Sequence, residues 1–336
     1  MRHIIICHHI TQGLANDAVI LKDAISKASD SNEIKVSVCS YPENDLYIQC
    51  KNEDVQEHSD DNDITLIFLE HINERVVRKV EAKRTIFIPN IEWITNMDIK
   101  LCRTESTEIV AKTTFAYQKL TEYFPDAKIH NTGWTSIDRF VNKEKGKMLK
   151  CLHLKGVSRY KGSQQVLDIW TRHPEWPELH IVSWSDNSMN GNLSLPNEVK
   201  ICDNVILHQY KLNESELSKL MNECEVHICP SYSEGFGHYI NEALSTGAVV
   251  LTTDGEPMNE LVRPEYGALI PVSTIHRVRM GLGFEFTDQA FESVFNELIF
   301  TRLKIGIGDM SRRSRSVYIT KNDLFLQAIA QLLFKR

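Results

Sequence analysis

Short runs of apolar and β-branched residues recur along this chain, each followed by a polar loop and then a stretch with helical spacing. Arg2–Cys7, Ile34–Cys39, Ile64–Leu69 and Thr85–Ile88 form one series of such runs. Leu149–Leu154, Leu179–Val182, Val226–Cys229 and Ala248–Thr252 form a second. Runs that are nearly continuous in apolar character predict strands buried on both faces, as in parallel sheets. Between them, Leu14–Ala28, Ser163–Arg172 and Glu214–Asn222 carry apolar residues at helical intervals. This alternation predicts an α/β protein with doubly wound parallel sheets and helices on both faces. The rhythm restarts after the charged segment VNKEKGK at Val141–Lys147, which has no apolar period. That segment reads as a linker, giving one Rossmann-like domain over residues 1–140 and a second over 148–310. Residues 311–336 form a C-terminal segment, with a basic turn, SRRSRS, at Ser311–Ser316 and an amphipathic helix at about Asp323–Phe334.

Composition narrows the picture. A chain of 336 residues suits two α/β domains better than one. The net charge is −7, and residues 1–140 carry 16 Lys and Arg against 22 Asp and Glu. This balance argues against a nucleic-acid groove and against more than peripheral contact with an anionic bilayer. No apolar run is long enough to cross a membrane, and MRHIIICHH turns polar too soon for a signal peptide. The expected location is cytoplasmic. The eight cysteines are irregularly spaced and read as reduced, buried thiols.

The chemistry concentrates at Ile228–Val250, ICPSYSEGFGHYINEALSTGAVV. A strand ends at Cys229 and Pro230, a loop carries Ser231, Ser233, Glu234, Gly235 and Gly237, and His238–Ser245 reads as a helix stopped by Gly247. Ligands of open α/β sheets bind beside the carboxyl ends of strands and near helix N-termini. Glycines in such a loop let backbone N–H groups approach an anion or a polyol. Glu234 falls in the loop and Glu242 in the helix, so the two carboxylates can address different parts of an elongated ligand.

Two glutamates separated by seven residues, with Gly-Phe-Gly after the first, resemble the EX7E signature of retaining GT-B glycosyltransferases, glycosyltransferase family 4 in particular. PMNELV at Pro257–Val262 resembles the loop and helix that follow the signature there. The resemblance implies two Rossmann-like domains facing across a cleft, the first on the acceptor side and the second binding a nucleotide-sugar donor, with the C-terminal helix returning to the first. It implies that Glu234 lies against the donor sugar hydroxyls near the reacting carbon. Backbone amides around Gly235, Phe236 and Gly237 would hold the sugar and distal phosphate, and Glu242 the ribose hydroxyls.

A second string, LHLKGVSRYKGSQQVLDI at Leu152–Ile169, runs from a strand through a loop into a helix. A departing nucleoside diphosphate needs fixed cations in a poorly hydrated site. The string resembles the family's Gly-Arg…Lys-Gly loop, although it is shorter. Lys161 and Gly162 align with the Lys-Gly element. Its partner cation is Arg159 by residue type, or Lys155 by offset.

The N-terminal half offers less. Gly13 sits in HHITQGLANDAVILKDAI, between the first strand and the first helix. This is not a GxGxxG fingerprint, so no dinucleotide cofactor is expected. ITLIFLEH at Ile64–His71 ends a strand on Glu70 and His71, and many relatives have a His near this strand end facing the donor sugar. Asn90 and Glu92 in IPNIEW are acceptor-side candidates. Asp61-Asn62-Asp63 spells a metal-binding DXD triplet, but it opens a strand in an acidic run without its usual context. No HExxH-like spacing appears among the 13 histidines, so no metal is expected. The resulting expectation is a retaining glycosyltransferase that needs only its nucleotide-diphosphate-sugar donor and a glycan, lipid-linked, protein or small-molecule acceptor. The alternatives are a non-catalytic sugar-nucleotide-binding protein on the same fold, or an epimerase or phosphorylase relative.

Overall fold

A computed structural model describes residues 2–29, 34–41, 63–104, 107–141, 148–156, 158–183 and 198–334 of the chain. Asp61 and Asn62 of the DXD triplet, and residues 142–147 of the charged linker, lie outside the described residues. The chain divides into two compact units. The first comprises residues 1–137, 278–281 and 321–336, and the second residues 138–277 and 282–320.

The first unit is built on a six-stranded parallel sheet. Its strands are β1 (Arg2–His9), β2 (Ile34–Tyr41), β3 (Asp63–Leu69), β4 (Arg84–Ile88), β5 (Glu108–Ala111) and β6 (Ile129–Asn131). They are ordered β2-β1-β3-β4-β5-β6. Ile4, Ile6, Leu66, Phe68, Ile86, Phe87 and Ile109 are buried, as expected of strands covered on both faces. The helices are α1 (Gln12–Ala28), α2 (Glu74–Lys79), α3 (Asn96–Thr104) and α4 (Thr114–Tyr123). Side chains fix their starts: Thr11 accepts from Leu14 N, Asn73 from Arg75 N and Val76 N, and Thr113 from Ala116 N, each satisfying amides that a helix N-terminus leaves unpaired.

The second unit carries a seven-stranded sheet. Its strands are β7 (Lys150–Leu154), β8 (Glu178–Val182), β9 (Glu198–Cys202), β10 (Val205–His208), β11 (Val226–Cys229), β12 (Val249–Thr253) and β13 (Gly267–Ile270). The order is β13-β12-β11-β7-β8-β10-β9. Every pairing is parallel except β9 with β10 at the edge. A two-stranded hairpin, β14 (Thr274–Val278) and β15 (Gly281–Glu285), follows. The helices are α5 (Ser163–Thr171), α6 (Glu214–Glu223), α7 (His238–Ser245), α8 (Met258–Leu261), α9 (Asp288–Glu297) and α10 (Leu303–Phe334). Asn213 and Glu216 form a reciprocal capping box at the start of α6. The core gathers Val166, Ile169, Trp170, Ile228, Val249, Leu251, Phe291 and Phe295 from both faces of the sheet.

Three expectations are corrected. The SRRSRS stretch is not a turn, because α10 runs through it, with non-helical backbone only at Gly306. Ser314 there is buried and donates to Ala248 O at 2.7 Å. Arg315 donates to Ser245 O at 2.7 Å and to Asp138 Oδ1 at 2.6 Å. The basic run is thus helical, with partners on one side. Gly13 lies within the first turn of α1 rather than ahead of it, because Thr11 already serves as the cap. Cys39 is disulfide-bonded, unlike Cys7, Cys102, Cys151, Cys202, Cys224 and Cys229, which are free. No helix among the described residues is long and apolar enough to cross a membrane.

Candidate active site

In the second unit the strand order reverses between β7 and β11, which lie side by side. The loops leaving their carboxyl ends therefore diverge to opposite sides, the topological switch point at which open α/β sheets bind ligands. The first loop passes through a single 3₁₀ turn, Arg159–Lys161, whose entry Ser158 caps by accepting from Tyr160 N. Gly162 then takes a left-handed conformation, φ 66°, and starts α5. A Cβ at Gly162 would lie 2.7 Å from Pro230 O, a backbone atom of the second loop. Only glycine accommodates both the torsion and this approach. Tyr232 N donates to Tyr160 O at 2.7 Å and locks the loops together.

Below this junction His153 bridges the strands. Its Nδ1 lies 2.7 Å from Ile228 O and its Nε2 2.7 Å from Ser163 Oγ. Burial pushes its pKa down to about 4, aided by the charges of Lys161 and Lys155 and opposed by the Ile228 carbonyl. The ring is therefore neutral at pH 7. The geometry assigns the Nδ1 proton to Ile228 O and leaves Nε2 to accept from Ser163.

The junction brings Lys161 and Glu234 together. Lys161 Nζ donates to Glu234 Oε1 at 2.6 Å, and Ser231 Oγ donates to the same oxygen at 2.5 Å. The side chains of Lys161 and Glu234 are 16% and 14% exposed, so the pair is screened from bulk water but still reachable. Lys161 Nζ also stands 3.4 Å from the centre of the Tyr239 ring. Thr253 Oγ1 holds the Ser231 carbonyl at 2.8 Å and Ser233 Oγ donates to Leu282 O at 2.8 Å, fixing the loop from β12 and β15.

Gly235, Phe236 and Gly237 are buried, and Gly237 starts α7 at φ 97°. Neither α5 nor α7 has a side-chain cap at its N-terminus. Two helix ends with glycine caps thus flank Lys161, a combination of uncapped amides, helix dipole and cation suited to an anion. Arg159 and Lys155 are both exposed, and neither forms an ion pair among the described residues. The geometry separates them from Lys161 without choosing between them.

Glu242 sits on α7 in a different network. Arg139 Nη2 lies 3.4 Å from Glu242 Oε1, Arg139 Nη1 donates to Glu214, and Arg139 N donates to Ser245 Oγ at 2.9 Å. Burial pushes the Glu242 carboxyl upward, opposed by the charges of Arg139 and His238. Arg139 escapes sequence reasoning, because nothing in SIDRF signals a partner more than 100 positions away. With both side chains below 10% exposure, Arg139→Ala leaves a buried carboxylate without its cation. It is expected to lower stability by about 3 kcal/mol. Adding Glu242→Gln to Arg139→Ala is expected to restore part of that loss in denaturant unfolding. Simple additivity of the two substitutions would mean the pair is not coupled.

His71 and Gly13 belong to the first unit. Gly13 is exposed, with open space where a Cβ would stand. His71 follows β3, and its Nδ1 lies 2.9 Å from Asp98 Oδ2. Asp98 also accepts from Ile72 N, Thr95 N and Thr95 Oγ1 at 2.9, 2.9 and 2.6 Å. Burial lowers the His71 pKa, but the hydrogen bond and charge of Asp98, with that of Glu70, outweigh it and the net shift is upward. Asn90 donates to Glu70 at 2.9 Å and accepts from the buried Lys112, which also donates to Asp17 at 2.7 Å. Among the described residues no group of three or more His, Cys, Asp and Glu is placed to hold a metal ion.

Residues 135–282 match the family described as glycosyl transferases group 1, the family that the motifs around Lys161 and Glu234 resemble. No curated protein sequence matches the chain. Solved structures are similar in fold. Sucrose-phosphate synthase from Thermosynechococcus elongatus is 13% identical with a TM-score of 0.68, over 99% of this chain and 97% of that one. Anabaena HepE, in complex with UDP and glucose, is 12% identical with a TM-score of 0.63, over the full length of both chains. A chain of the GtfA/B complex is 19% identical with a TM-score of 0.62. This protein is covered there over 84% of its length but spans only 59% of that chain. At such identities the likeness establishes the fold, which is GT-B.

Proposed function

We propose that this protein is a retaining glycosyltransferase that transfers a sugar from a nucleotide-diphosphate-sugar donor to a glycan or other acceptor without a metal ion. The observation that carries the reading is the Lys161–Glu234 pair, placed where β7 and β11 diverge and flanked by the uncapped N-termini of α5 and α7. A diphosphate fits the cation and the helix ends, and a carboxylate beside them fits sugar hydroxyls or a positive charge developing on the reacting carbon. The match of residues 135–282 to glycosyl transferases group 1 supports it. So does the similarity to HepE, whose structure holds UDP and glucose.

In this reading Lys161, with Arg159 or Lys155, stabilises the leaving diphosphate. The amides of Gly235, Phe236 and Gly237 hold the donor's distal phosphate and sugar, while Glu242 holds the ribose. His71 and Gly13 contribute from the first unit. Transfer proceeds by front-face displacement. The bond from the anomeric carbon to the leaving phosphate oxygen breaks as the acceptor oxygen bonds to the same face, and the acceptor proton passes to that phosphate oxygen. No protein base is required. The neutral, fully engaged His153 is suited to holding the strand ends rather than moving a proton.

The test is release of nucleoside diphosphate from a panel of UDP-, GDP- and ADP-sugars, with and without EDTA. One donor class is expected to turn over, undiminished by chelator. Its nucleoside diphosphate at 100 times Kd should stabilise the protein by about 2.7 kcal/mol. Binding without release across the panel would leave a non-catalytic sugar-nucleotide-binding protein, and strict dependence on added manganese would overturn metal independence.

A further inference from the structure

We infer that Tyr239 is a positioning residue for both charged groups of this site, its ring setting Lys161 and its hydroxyl, through Ser231, setting Glu234. The inference rests on the reading of Lys161 and Glu234 given above and adds what holds them in place.

Tyr239 is the second residue of α7 and is 7% exposed, so its ring is fixed by its surroundings. Three contacts converge on it. Lys161 Nζ sits 3.4 Å from the ring centre, over the face where the negative quadrupole attracts a cation. The hydroxyl lies 2.5 Å from Ser231 Oγ, and Ser231 Oγ lies 2.5 Å from Glu234 Oε1. Since Ser231 has one proton and donates it to the carboxylate, the Tyr239 hydroxyl donates to Ser231. The chain Tyr239–Ser231–Glu234 then closes through Lys161 back onto the Tyr239 ring.

The closed arrangement has a physical consequence. A lysine stem is flexible, and a salt bridge to Glu234 alone would let the ammonium swing around the carboxylate. The ring removes that freedom, because the ammonium must satisfy a face below it and an oxygen beside it. Glu234 is likewise held by two donors on one oxygen, which leaves its other oxygen as the contact for a ligand. Pre-set charges of this kind need no reorganisation when a transition state forms. Removing the platform should therefore act on turnover more than on donor binding.

Ring and hydroxyl separate by substitution. Tyr239→Phe keeps the platform and loses the link to Ser231, whereas Tyr239→Leu loses both. Two measurements on the full chain read the result. In the first, lysines are reductively methylated with 13C-formaldehyde, and the Lys161 methyl signal is assigned by its loss in Lys161→Arg. Ring current should shift that signal upfield in wild type and in Tyr239→Phe, and the shift should vanish in Tyr239→Leu. In the second, kcat and KM are measured with the sugar nucleotide that gives the fastest release in the donor panel. Tyr239→Leu is expected to lower kcat about tenfold and Tyr239→Phe about threefold, each with KM changed less than twofold. A Lys161 signal without ring shift in wild type, or equal kcat for Tyr239→Leu and wild type while Lys161→Ala is inactive, overturns this inference alone. Full turnover by Lys161→Ala overturns the site reading and this inference with it.

Discussion

Lys161→Ala should lower turnover by at least about 100-fold while leaving the protein folded. The magnitude is that of losing one preorganised charge partner of a developing anion in a poorly hydrated site. Lys161 is mostly shielded, sits against Glu234 and the Tyr239 ring, and lies between two helix ends whose amides lack side-chain caps. In the ground state the donor diphosphate already carries its charge, so part of the contact is uniform and KM should rise too. The extra charge on the leaving oxygen exists only in the transition state, so kcat should fall further. Lys161→Arg is the control for charge alone. An arginine keeps the cation but presents a planar fork where the ring and carboxylate receive a compact ammonium, so it should recover little. Single-turnover release of nucleoside diphosphate, alongside thermal unfolding, checks both. Normal kinetics in Lys161→Ala with a lowered Tm would make the lysine a structural partner of Glu234. The same assay on Arg159→Ala and Lys155→Ala should show a clear loss in only one of them.

What the sequence made legible follows from how burial is written into it. Strands covered on both faces appear as unbroken apolar runs, so Val226–Cys229 and its neighbours were readable, and so was the helix His238–Ser245 between its glycines. Elements whose inward positions are polar were hidden. In α10 the inward stripe runs Met310, Ser314, Tyr318, Phe325, Ile329 and Leu333, at intervals of about one or two turns. Ser314 interrupts it, and the surrounding arginines give the stretch the look of an exposed turn. Helix α3 is obscured in the same way, because Asp98 points inward and is satisfied there by Thr95, Ile72 and His71. Strands β5 and β6, of four and three residues, are too short to show a period.

At the site, the loops and glycines were legible because a left-handed backbone and close approach restrict residue type, as at Gly162 against Pro230. The partners were not. Arg139 meets Glu242 across 103 positions, and Tyr239 meets Lys161 through the packing of two loops. Such contacts depend on strand order, which a local pattern does not encode.

Glu234→Gln should lower kcat by about 100-fold with donor KM changed less than threefold. The substitution is nearly isosteric. The amide oxygen of the substituted side chain can still accept from Ser231 and Lys161, so the loop and the ammonium should stay where they are. The negative charge beside the reacting carbon is lost, and its value lies in the transition state, where positive charge develops on the sugar. Glu242→Gln is expected to divide the other way. Its carboxyl is held by Arg139 at the far end of the motif, and a ribose contact changes little between ground and transition states. It should therefore raise KM and weaken nucleoside diphosphate binding, with kcat near normal. Calorimetry with the nucleoside diphosphate alone separates the two, since Glu234→Gln should bind it as wild type does and Glu242→Gln should bind it more weakly. Because Glu242 also compensates Arg139, thermal unfolding must accompany its titration, so that lost binding is not mistaken for lost fold. Two variants with the same pattern of kcat and KM would mean that the glutamates do not address different parts of one donor. A crystal with the nucleotide bound in the first unit would move the donor site away from this motif altogether.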